Sequence, residues 1–178
     1  MYINRYNCNG KCSDLIMTSD GEYLTGLWFD NTYDDKKHLG DALEKELPIF
    51  IETKKWLDIY FSGEEPSFTP KYKINNISEF RKKVINIIKR IPYGQTIKYG
   101  DIAKQIAEDD GIARMSSQAV GNAVGWNPIC IIIPCHRVVG ANNNLVGYGG
   151  GIKNKIFLLN LEHNNIDQFI IPKKGTKL

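Results

Sequence analysis

A cysteine and a histidine stand side by side at positions 135 and 136, after the apolar run 131–133 and Pro134. A cysteine reacts as its thiolate, and a nearby imidazole raises the thiolate fraction. Successive side chains of an extended strand point to opposite faces, so Cys135 and His136 would not touch in a regular strand. We therefore expect either a sharp turn at Pro134 or a water that carries the proton between them.

A carboxylate on the far side of His136 would fix which ring nitrogen carries the proton. Glu162 is the candidate, because it ends a helix predicted over residues 152–162. Thiol, imidazole and carboxylate together indicate nucleophilic chemistry at Cys135. A neighbouring cysteine and histidine alone are weak evidence, so the surrounding elements have to support the site.

The elements that would position these residues are mostly helical. Ser78 is a predicted N-cap before apolar residues at helical spacing, and Pro92 ends that helix. A second helix is predicted over 99–107, and a third begins at Ser116 or Ser117. Two short helices joined by a turn are the skeleton of a helix-turn-helix.

Small residues leave the surface of the third helix nearly bare: Ala119, Gly121, Ala123 and Gly125. Glycine in a helix interior costs about 1 kcal/mol relative to alanine. Two glycines so close together indicate that something approaches the helix backbone closely. That neighbour is either another helix of the core or a DNA backbone.

Other segments are predicted as follows. Residues 129–133 read as a short buried strand that leads into the cysteine-histidine pair. In the first half, 21–29 is predicted to be a strand and 39–61 to form helices broken at Pro48. The tract 63–70 contains turn residues that cannot continue a helix, and it begins a linker.

The 178-residue chain has 42% hydrophobic and 24% charged residues, which suits one large or two compact globular domains. Positions 1–78 hold 9 Lys and Arg against 13 Asp and Glu, whereas positions 79–178 hold 14 against 7. A basic second half is typical of a surface that meets a polyanion, although basic residues can also simply solvate a surface. The sequence has no signal-peptide pattern and no apolar run of about 18 residues, so we expect an intracellular protein without membrane association, cytoplasmic in a prokaryote and nuclear in a eukaryote.

Cys8 and Cys12 form a C-x3-C pair that raises the question of a metal. No second downstream C-x-x-C or H-x3-H completes a zinc pattern. In a reducing compartment free thiols are favoured over disulfides. We therefore predict no metal site.

Five stretches of the second half together resemble the O6-alkylguanine-DNA alkyltransferases, also called methylated-DNA-protein-cysteine methyltransferases. They are IPYGQTIKYGDIA at 91–103, AVGNAVGWNP at 119–128, IIIPCHRVVG at 131–140, GYGGG at 147–151 and LLNLE at 158–162. They occur in the order and at the spacing of that family. In the first half only WLDIYFSG at 56–63 is similar to it.

The resemblance implies an α/β fold in two domains. A small ribonuclease-H-like α/β domain with a linker would span 1–78, and a mostly helical winged helix-turn-helix domain would span 79–178, with a flexible tail after residue 172. It also implies a monomer that uses no cofactor and acts on double-stranded DNA containing alkylated bases. Such a protein flips O6-alkylguanine, and also O4-alkylthymine, out of the duplex and irreversibly takes the alkyl group onto its own cysteine.

The same resemblance assigns catalytic roles. Cys135 would accept the alkyl group, His136 with a bridging water would deprotonate it, and Glu162 would orient His136. Tyr99 would protonate the departing base and help to push it out of the helix. Asn127 would organise the turn around the site.

Substrate contacts are implied as well. Tyr148 would line the base pocket, and Gly149 would contact the flipped guanine through its backbone. The helix 117–125 would lie in the minor groove, which would explain its small residues. The other residues assigned to substrate or DNA are Arg137, Ser117, Gln118, Ala119 and Gly121.

Two features depart from the family pattern. Gln118 stands where the family usually has an arginine that fills the space left by the flipped base, and a glutamine brings no charge to the phosphates. We therefore expect weaker DNA binding than in relatives with the arginine. The turn 107–117 is longer than usual and begins with acidic residues. Its Arg114 could reach DNA in place of that arginine, although its register differs from that of the family residue.

Three other functions remain to be weighed. A lesion-binding protein similar to the alkyltransferase-like proteins would lack the acceptor cysteine, which is present here. A cysteine hydrolase would need an oxyanion hole, for which no sequence context is recognised. A regulator of the adaptive-response type would need an additional metal-binding domain, for which this chain is too short.

Overall fold

The computed structural model describes residues 1–30, 39 and 41–172, and the chain forms two compact units. The first unit consists of Met1–Asn76 and Pro128–Ile132, and the second of Ile77–Asn127 and Ile133–Leu178. The chain thus leaves the second unit for one short segment just before the cysteine-histidine pair, which a single boundary after residue 78 does not anticipate. The tail expected to be flexible after residue 172 lies outside the described residues.

A four-stranded sheet dominates the first unit. Strands β1 (Tyr2–Tyr6), β2 (Leu15–Ser19) and β3 (Leu24–Phe29) form an antiparallel meander, and β4 (Leu43–Glu44) pairs in parallel with β1. The order across the sheet is β3-β2-β1-β4. The strand predicted over 21–29 is confirmed as β3.

The helix predicted before Pro48 is wrong for the described residues 41–47. Leu43 and Glu44 pair with Tyr2 and Ile3 instead, far away in the sequence. Pro48 begins helix α1 (Pro48–Phe61) rather than interrupting a helix. Proline is favoured at a first helical position because the N–H that it lacks would have no partner there.

The segment 129–133 is buried as predicted, but it is not a regular strand. Leu27 N donates to Pro128 O and Cys130 N donates to Leu27 O, both at 2.9 Å, so the segment lies along β3. Ile131 then has a φ of 69°, and Ile132 N donates to Cys130 O at 2.8 Å. A β-branched residue in this left-handed conformation is strained by about 1–3 kcal/mol, which the surrounding structure has to hold.

The second unit is built on helices α2 (Glu79–Ile88), α3 (Tyr99–Asp109), α4 (Ser117–Gly125) and α5 (Ile152–Leu161). All four confirm predicted helices. Ser78 caps α2 by accepting a hydrogen bond from Arg81 N, and Ser116 caps α4 by accepting one from Ala119 N. Side-chain oxygens at these positions satisfy N–H groups that the first helical turn leaves without partners.

Helices α2, α3 and α4 pack against one another. Their buried residues include Val84, Ile88, Ile102, Ile106, Val120 and Val124. Two short strands, β5 (Ile97–Lys98) and β6 (Val138–Val139), pair in parallel. Since β5 leads directly into α3 and β6 follows the cysteine-histidine pair, this pairing brings the start of α3 towards Cys135.

None of the described helices is long and apolar enough to cross a membrane.

Candidate active site

A sharp turn presents Cys135. Pro134 has φ −80° and ψ 63°, and Cys135 N donates to Ile133 O at 2.8 Å, which is a three-residue inverse γ-turn. One turn of 3-10 helix, Cys135–Arg137, follows immediately. Of the two arrangements expected from the sequence, the sharp turn at Pro134 is therefore present. Cys135 is 5% exposed and His136 is completely buried.

Asn127 fixes the position of the sulfur. It follows the end of α4, where its backbone N donates to Val124 O at 3.2 Å. Its side-chain Nδ2 donates to Ile133 O at 2.8 Å and to Cys135 Sγ at 3.1 Å, so both amide hydrogens have acceptors. A hydrogen bond to the sulfur favours the thiolate over the thiol.

His136 and Glu162 form a buried pair. His136 Nε2 lies 2.8 Å from Glu162 Oε1, and both side chains have no exposed surface. An ionised carboxylate only accepts hydrogen bonds, so Nε2 carries the ring proton and Nδ1 holds the lone pair. Burial lowers the pKa of His136, although its hydrogen bond to Glu162 opposes this change. The imidazole is therefore a neutral base at neutral pH.

The structure corrects the role assigned to Arg137. Its Nε and Nη2 donate to Glu162 at 2.8–3.2 Å, its Nη1 donates to Ile91 O at 2.6 Å, and it is 8% exposed. The guanidinium also lies 5.6 Å from the ring of Tyr93. Because its three nitrogens are engaged inside the protein, Arg137 supports Glu162 and is not placed to contact DNA.

Glu162 is the centre of this network. Burial by itself would raise the pKa of Glu162, but the hydrogen bonds and positive charge of its partners hold that pKa at about 2. Arg137 is permanently charged, so it keeps the carboxylate ionised while His136 is neutral. Gly94 N donates to Glu162 Oε2 at 3.2 Å. Gly94 has a φ of 73°, and an added Cβ would lie 2.9 Å from Glu162 O, so this turn requires glycine.

Lys155 is a residue of the site that the sequence reasoning missed. Its side chain is completely buried, and Nζ donates to Val138 O at 2.7 Å and to Val146 O at 3.4 Å. Burial lowers the pKa of Lys155 to about 8, and the charge of Cys135 opposes this change. The sequence feature that could have indicated its burial is its position between Ile152 and Leu159, on the apolar face of the last helix.

Tyr99 is the first residue of α3, and its hydroxyl donates to Gly147 O at 3.4 Å. Burial raises the pKa of the Tyr99 phenol, and the charge of Cys135 raises it further. The phenol therefore keeps its proton at neutral pH and can act as a donor. Beside it lies a pocket of about 480 Å³, whose lining includes Tyr99, Ser117, Gln118, Gly121, Gly140 and Gly147.

Core packing does not explain the glycines of α4. A Cβ added to Gly125 would meet nothing within 4 Å, and one added to Gly121 would meet only the Tyr99 ring, at 4.0 Å. Gln118 and Ser117 are exposed on the same helix, and Ala119 is half-buried. Of the two explanations for this bare surface, the observation favours a partner that approaches from outside.

Tyr148 and Gly149 lie in the loop between β6 and α5. The Tyr148 ring is half-buried and lies 5.9 Å from Lys155 Nζ. Gly149 is exposed, and a Cβ on it would lie 3.8 Å from Gly125 O, so this loop approaches the end of α4. In the described part of the chain, no group of three or more His, Cys, Asp and Glu side chains is arranged to hold a metal ion.

Comparison with known proteins gives a consistent result. Residues 79–164 match the family model described as "6-O-methylguanine DNA methyltransferase, DNA binding domain". A "Methylated-DNA--protein-cysteine methyltransferase" of Methanosarcina acetivorans is 42% identical over 150 residues, covering 83% of this chain and 90% of that protein. One of Mycobacterium tuberculosis is 46% identical over 149 residues, covering 83% and 85%.

Solved structures are similar over nearly the whole chain. The crystal structure of Mycobacterium tuberculosis OGT in complex with DNA matches with a TM-score of 0.77 and 32% identity, covering 95% of both chains. An O6-methylguanine DNA methyltransferase of Methanococcus jannaschii matches with a TM-score of 0.59 and 28% identity, covering 99% of both. The similarity therefore extends beyond the acceptor segment to both units.

Proposed function

Because the chain belongs to the methylated-DNA-protein-cysteine methyltransferase family, we propose that Cys135 is the residue that receives the alkyl group. The protein repairs alkylated DNA by transferring the alkyl group from the base to a cysteine of its own chain. The observation that carries the assignment is that Cys135 Sγ lies 3.1 Å from Asn127 Nδ2, directly before the buried His136–Glu162 pair.

The reaction can be written through these residues. His136 Nδ1 takes the proton of Cys135 through a water, while Glu162 holds the proton on Nε2. The sulfur attacks the alkyl carbon, and the bond from that carbon to O6 breaks with its electron pair left on the base. Tyr99, whose phenol keeps its proton at neutral pH, protonates the departing guanine.

The product explains why the protein acts once. Transfer leaves a thioether on Cys135, which unlike a thioester has no carbonyl for water to attack. Each protein molecule therefore repairs one lesion.

Access to the base requires flipping, because O6 of guanine lies inside the duplex, and extrusion costs a few kcal/mol. We assign α4 to the minor groove, where Gly121 and Ala119 permit close approach, and we place the flipped base between Tyr99 and the loop that follows Gly147. Tyr148 and Gly149 contact that base from the loop. O4-alkylthymine presents the same electrophilic carbon. We assign the protein to the compartment that holds the chromosome, which is the cytoplasm of a prokaryotic cell or the nucleus of a eukaryotic one.

We also propose a finer fold for each of the two units. A meander of three antiparallel strands with β4 parallel to β1, in the order β3-β2-β1-β4 and followed by a helix, supports a ribonuclease-H-like first unit. Helices α3 and α4, joined by a turn and packed on α2, support a helix-turn-helix in the second unit. The pair β5 and β6 supplies the strands of a winged variant.

The function is tested by intact-protein mass spectrometry after incubation with duplex DNA that contains one O6-methylguanine. We expect the mass to rise by one methyl group, to saturate at one methyl per protein molecule, and to map to the peptide that carries Cys135. A Cys135→Ser variant should gain nothing. A Cys12→Ser variant, which removes a free thiol outside the site, should react like the natural chain.

Two outcomes would contradict the proposal. Methylation of another residue would move the acceptor away from Cys135. An unchanged mass with retained selective binding to the lesion would make the protein a damage sensor of the alkyltransferase-like kind.

Gln118→Arg is expected to strengthen DNA binding. Gln118 is exposed at the start of α4 and lines the pocket, so an arginine there can reach the phosphates. One added phosphate contact should steepen the plot of log affinity against log salt by about 0.9, and the affinity at low salt should rise about tenfold. Fluorescence anisotropy with a labelled duplex at several salt concentrations measures both.

The matched control is Gln168→Arg, which adds the same charge at an exposed position outside helices α3 and α4. It should change the salt dependence much less than Gln118→Arg. Equal effects of the two substitutions would mean that net charge, and not the position of Gln118, governs DNA binding. No effect of either would remove Gln118 from the interface.

A further inference from the structure

One side of α5 and of its C-cap residue carries two buried charges of opposite sign. Lys155 and Glu162 are seven positions apart, which is two helical turns, so they lie on the same side of the helix. That side packs against the turn Cys135–Arg137. Glu162 meets His136 and Arg137 there, whereas Lys155 reaches the strand that follows, at Val138 O.

With Lys155 charged, the charges of the site balance once the proton of Cys135 has left for solvent through the water and His136. Glu162 is neutralised by Arg137, and His136 is neutral because burial lowers its pKa. In the described part of the chain Lys155 forms an ion pair with no carboxylate. A buried ammonium group is costly unless an opposite charge is close. The Cys135 thiolate is the group that can supply this charge.

We propose that Lys155 is a positioning residue that holds Cys135 as its thiolate and ties the strand after Cys135 to the pocket loop. The inference rests on the proposed role of Cys135 as the alkyl acceptor. The tie consists of the hydrogen bonds from Nζ to Val138 O at 2.7 Å and to Val146 O at 3.4 Å. Val146 lines the pocket, so a single buried amine connects the nucleophile with the wall of the pocket.

The same arrangement makes Lys155 sensitive to the product. Alkylation converts the thiolate into a neutral thioether, which removes the negative charge that favours the ammonium form. The pKa of Lys155 is already only about 8, because the side chain is buried. Repair should therefore release a proton from Lys155 and weaken its hold on the two carbonyls, since a neutral amine is the poorer donor.

The first test measures the titration of Cys135 without DNA. Iodoacetamide alkylates thiolates, and mass spectrometry of the Cys135 peptide gives its rate at each pH, separately from the other three cysteines. Lys155→Met keeps the length of the side chain but removes its charge. We expect its rate profile to move to higher pH, so that the rate at neutral pH falls at least about tenfold and recovers in alkaline solution.

The matched control is Lys153→Met, which removes an exposed lysine two positions away on the same helix. Its profile should coincide with that of the natural chain. Lys155→Arg, which keeps a charge, should lie between the natural chain and Lys155→Met. An unchanged profile for Lys155→Met, with only a lowered melting temperature, would make Lys155 a structural residue and overturn the proposal.

Other titratable groups lie close to Lys155 and could also change its pKa. The titratable groups that face Lys155 are Cys135 and His136 of the turn Cys135–Arg137 and Tyr148 of the loop before α5. Arg137 and Glu162 neutralise each other. A change in the titration of Lys155 caused through His136 would persist when Cys135 is replaced. The second measurement therefore follows Lys155 itself, by NMR of ¹³C-labelled lysine.

The pKa of Lys155 should fall when Cys135 is alkylated with iodoacetamide, and equally in Cys135→Ser. An identical titration of Lys155 in all three forms would overturn the coupling. Neither measurement requires transfer from DNA, because iodoacetamide and the serine variant replace the lesion. Failure of the proposed function would appear separately, as a natural chain that gains no methyl group from O6-methylguanine.

Discussion

Glu162→Gln is expected to lower the free energy of unfolding by about 3–5 kcal/mol and to slow methyl transfer at neutral pH about 100-fold. The substitution keeps the shape of the side chain but leaves the Arg137 cation buried without its counter-charge. It also lets His136 adopt either tautomer, since a glutamine can both donate and accept. Urea unfolding gives the first effect, and single-turnover transfer gives the second.

The control for this variant is Glu108→Gln. Glu108 is exposed on α3, where its carboxylate pairs with Lys104 at 3.8 Å. Exposed pairs of this kind contribute little, so stability and rate should both match the natural chain. If Glu162→Gln unfolded with the same free energy as the natural chain, the buried network around Arg137 would not stabilise the turn Cys135–Arg137.

The pH dependence of stability provides an independent check on Glu162. Its pKa falls from the ordinary 4.5 to about 2 in the folded protein, despite burial, because of His136 and Arg137. A lowered carboxyl pKa stabilises the fold fully above the ordinary value, and the contribution is lost as the pH falls towards the folded value. The natural chain should therefore approach the stability of Glu162→Gln between pH 4.5 and about 2.

Asn127→Ala is expected to reduce the rate of methyl transfer about 100- to 1,000-fold, the range seen when one donor of a preorganised site is removed. Its Nδ2 bonds both Ile133 O and Cys135 Sγ, so the variant leaves a buried carbonyl without this donor and the thiolate less stabilised. The transfer rate should recover partly at high pH, where the thiol ionises without help. A pH profile of single-turnover transfer measures this.

Asn160→Ala serves as the matched variant, because Asn160 is exposed on α5 and outside the site. Its profile should be that of the natural chain. A uniform loss of rate at every pH for Asn127→Ala would show that Asn127 shapes the turn without acting on the ionisation of Cys135.

Local sequence patterns predicted the helices of the second unit well. Apolar residues recur at helical spacing in α2 and α3, and serine side chains cap α2 and α4 as the sequence indicated. These signals are short-range, since capping and helical periodicity involve residues within one or two turns. The sharp turn at Pro134 was likewise one of two local alternatives.

Errors occurred where distant residues decide the conformation. Strand β4 exists because its backbone pairs with β1, and residues 128–130 lie along β3 through Leu27. An apolar run such as 129–133 reports burial but not the left-handed turn at Ile131. Nothing in the neighbouring residues encodes either partner.

The sequence indicated that a thiol, an imidazole and a carboxylate come together at the site. It did not indicate that two cations, Arg137 and Lys155, are buried beside them. Arg137 follows the reactive pair directly, so an outward role towards DNA was a natural prediction, but the fold turns it onto Glu162. The buried position of Lys155 was not predicted, since most lysines on helices are solvated. Only the packed structure reveals which charges are enclosed.

The detour of the chain through Pro128–Ile132 limits how this protein can be divided. A fragment 77–178 would contain every residue of the acceptor site, yet it would lack Leu27, whose backbone bonds Pro128 and Cys130. The strained turn at Ile131, four residues before the nucleophile, would lose that support. Backbone hydrogen bonds do not depend on side-chain identity, so substitutions in the first unit can preserve this support, whereas removal of the first unit abolishes it.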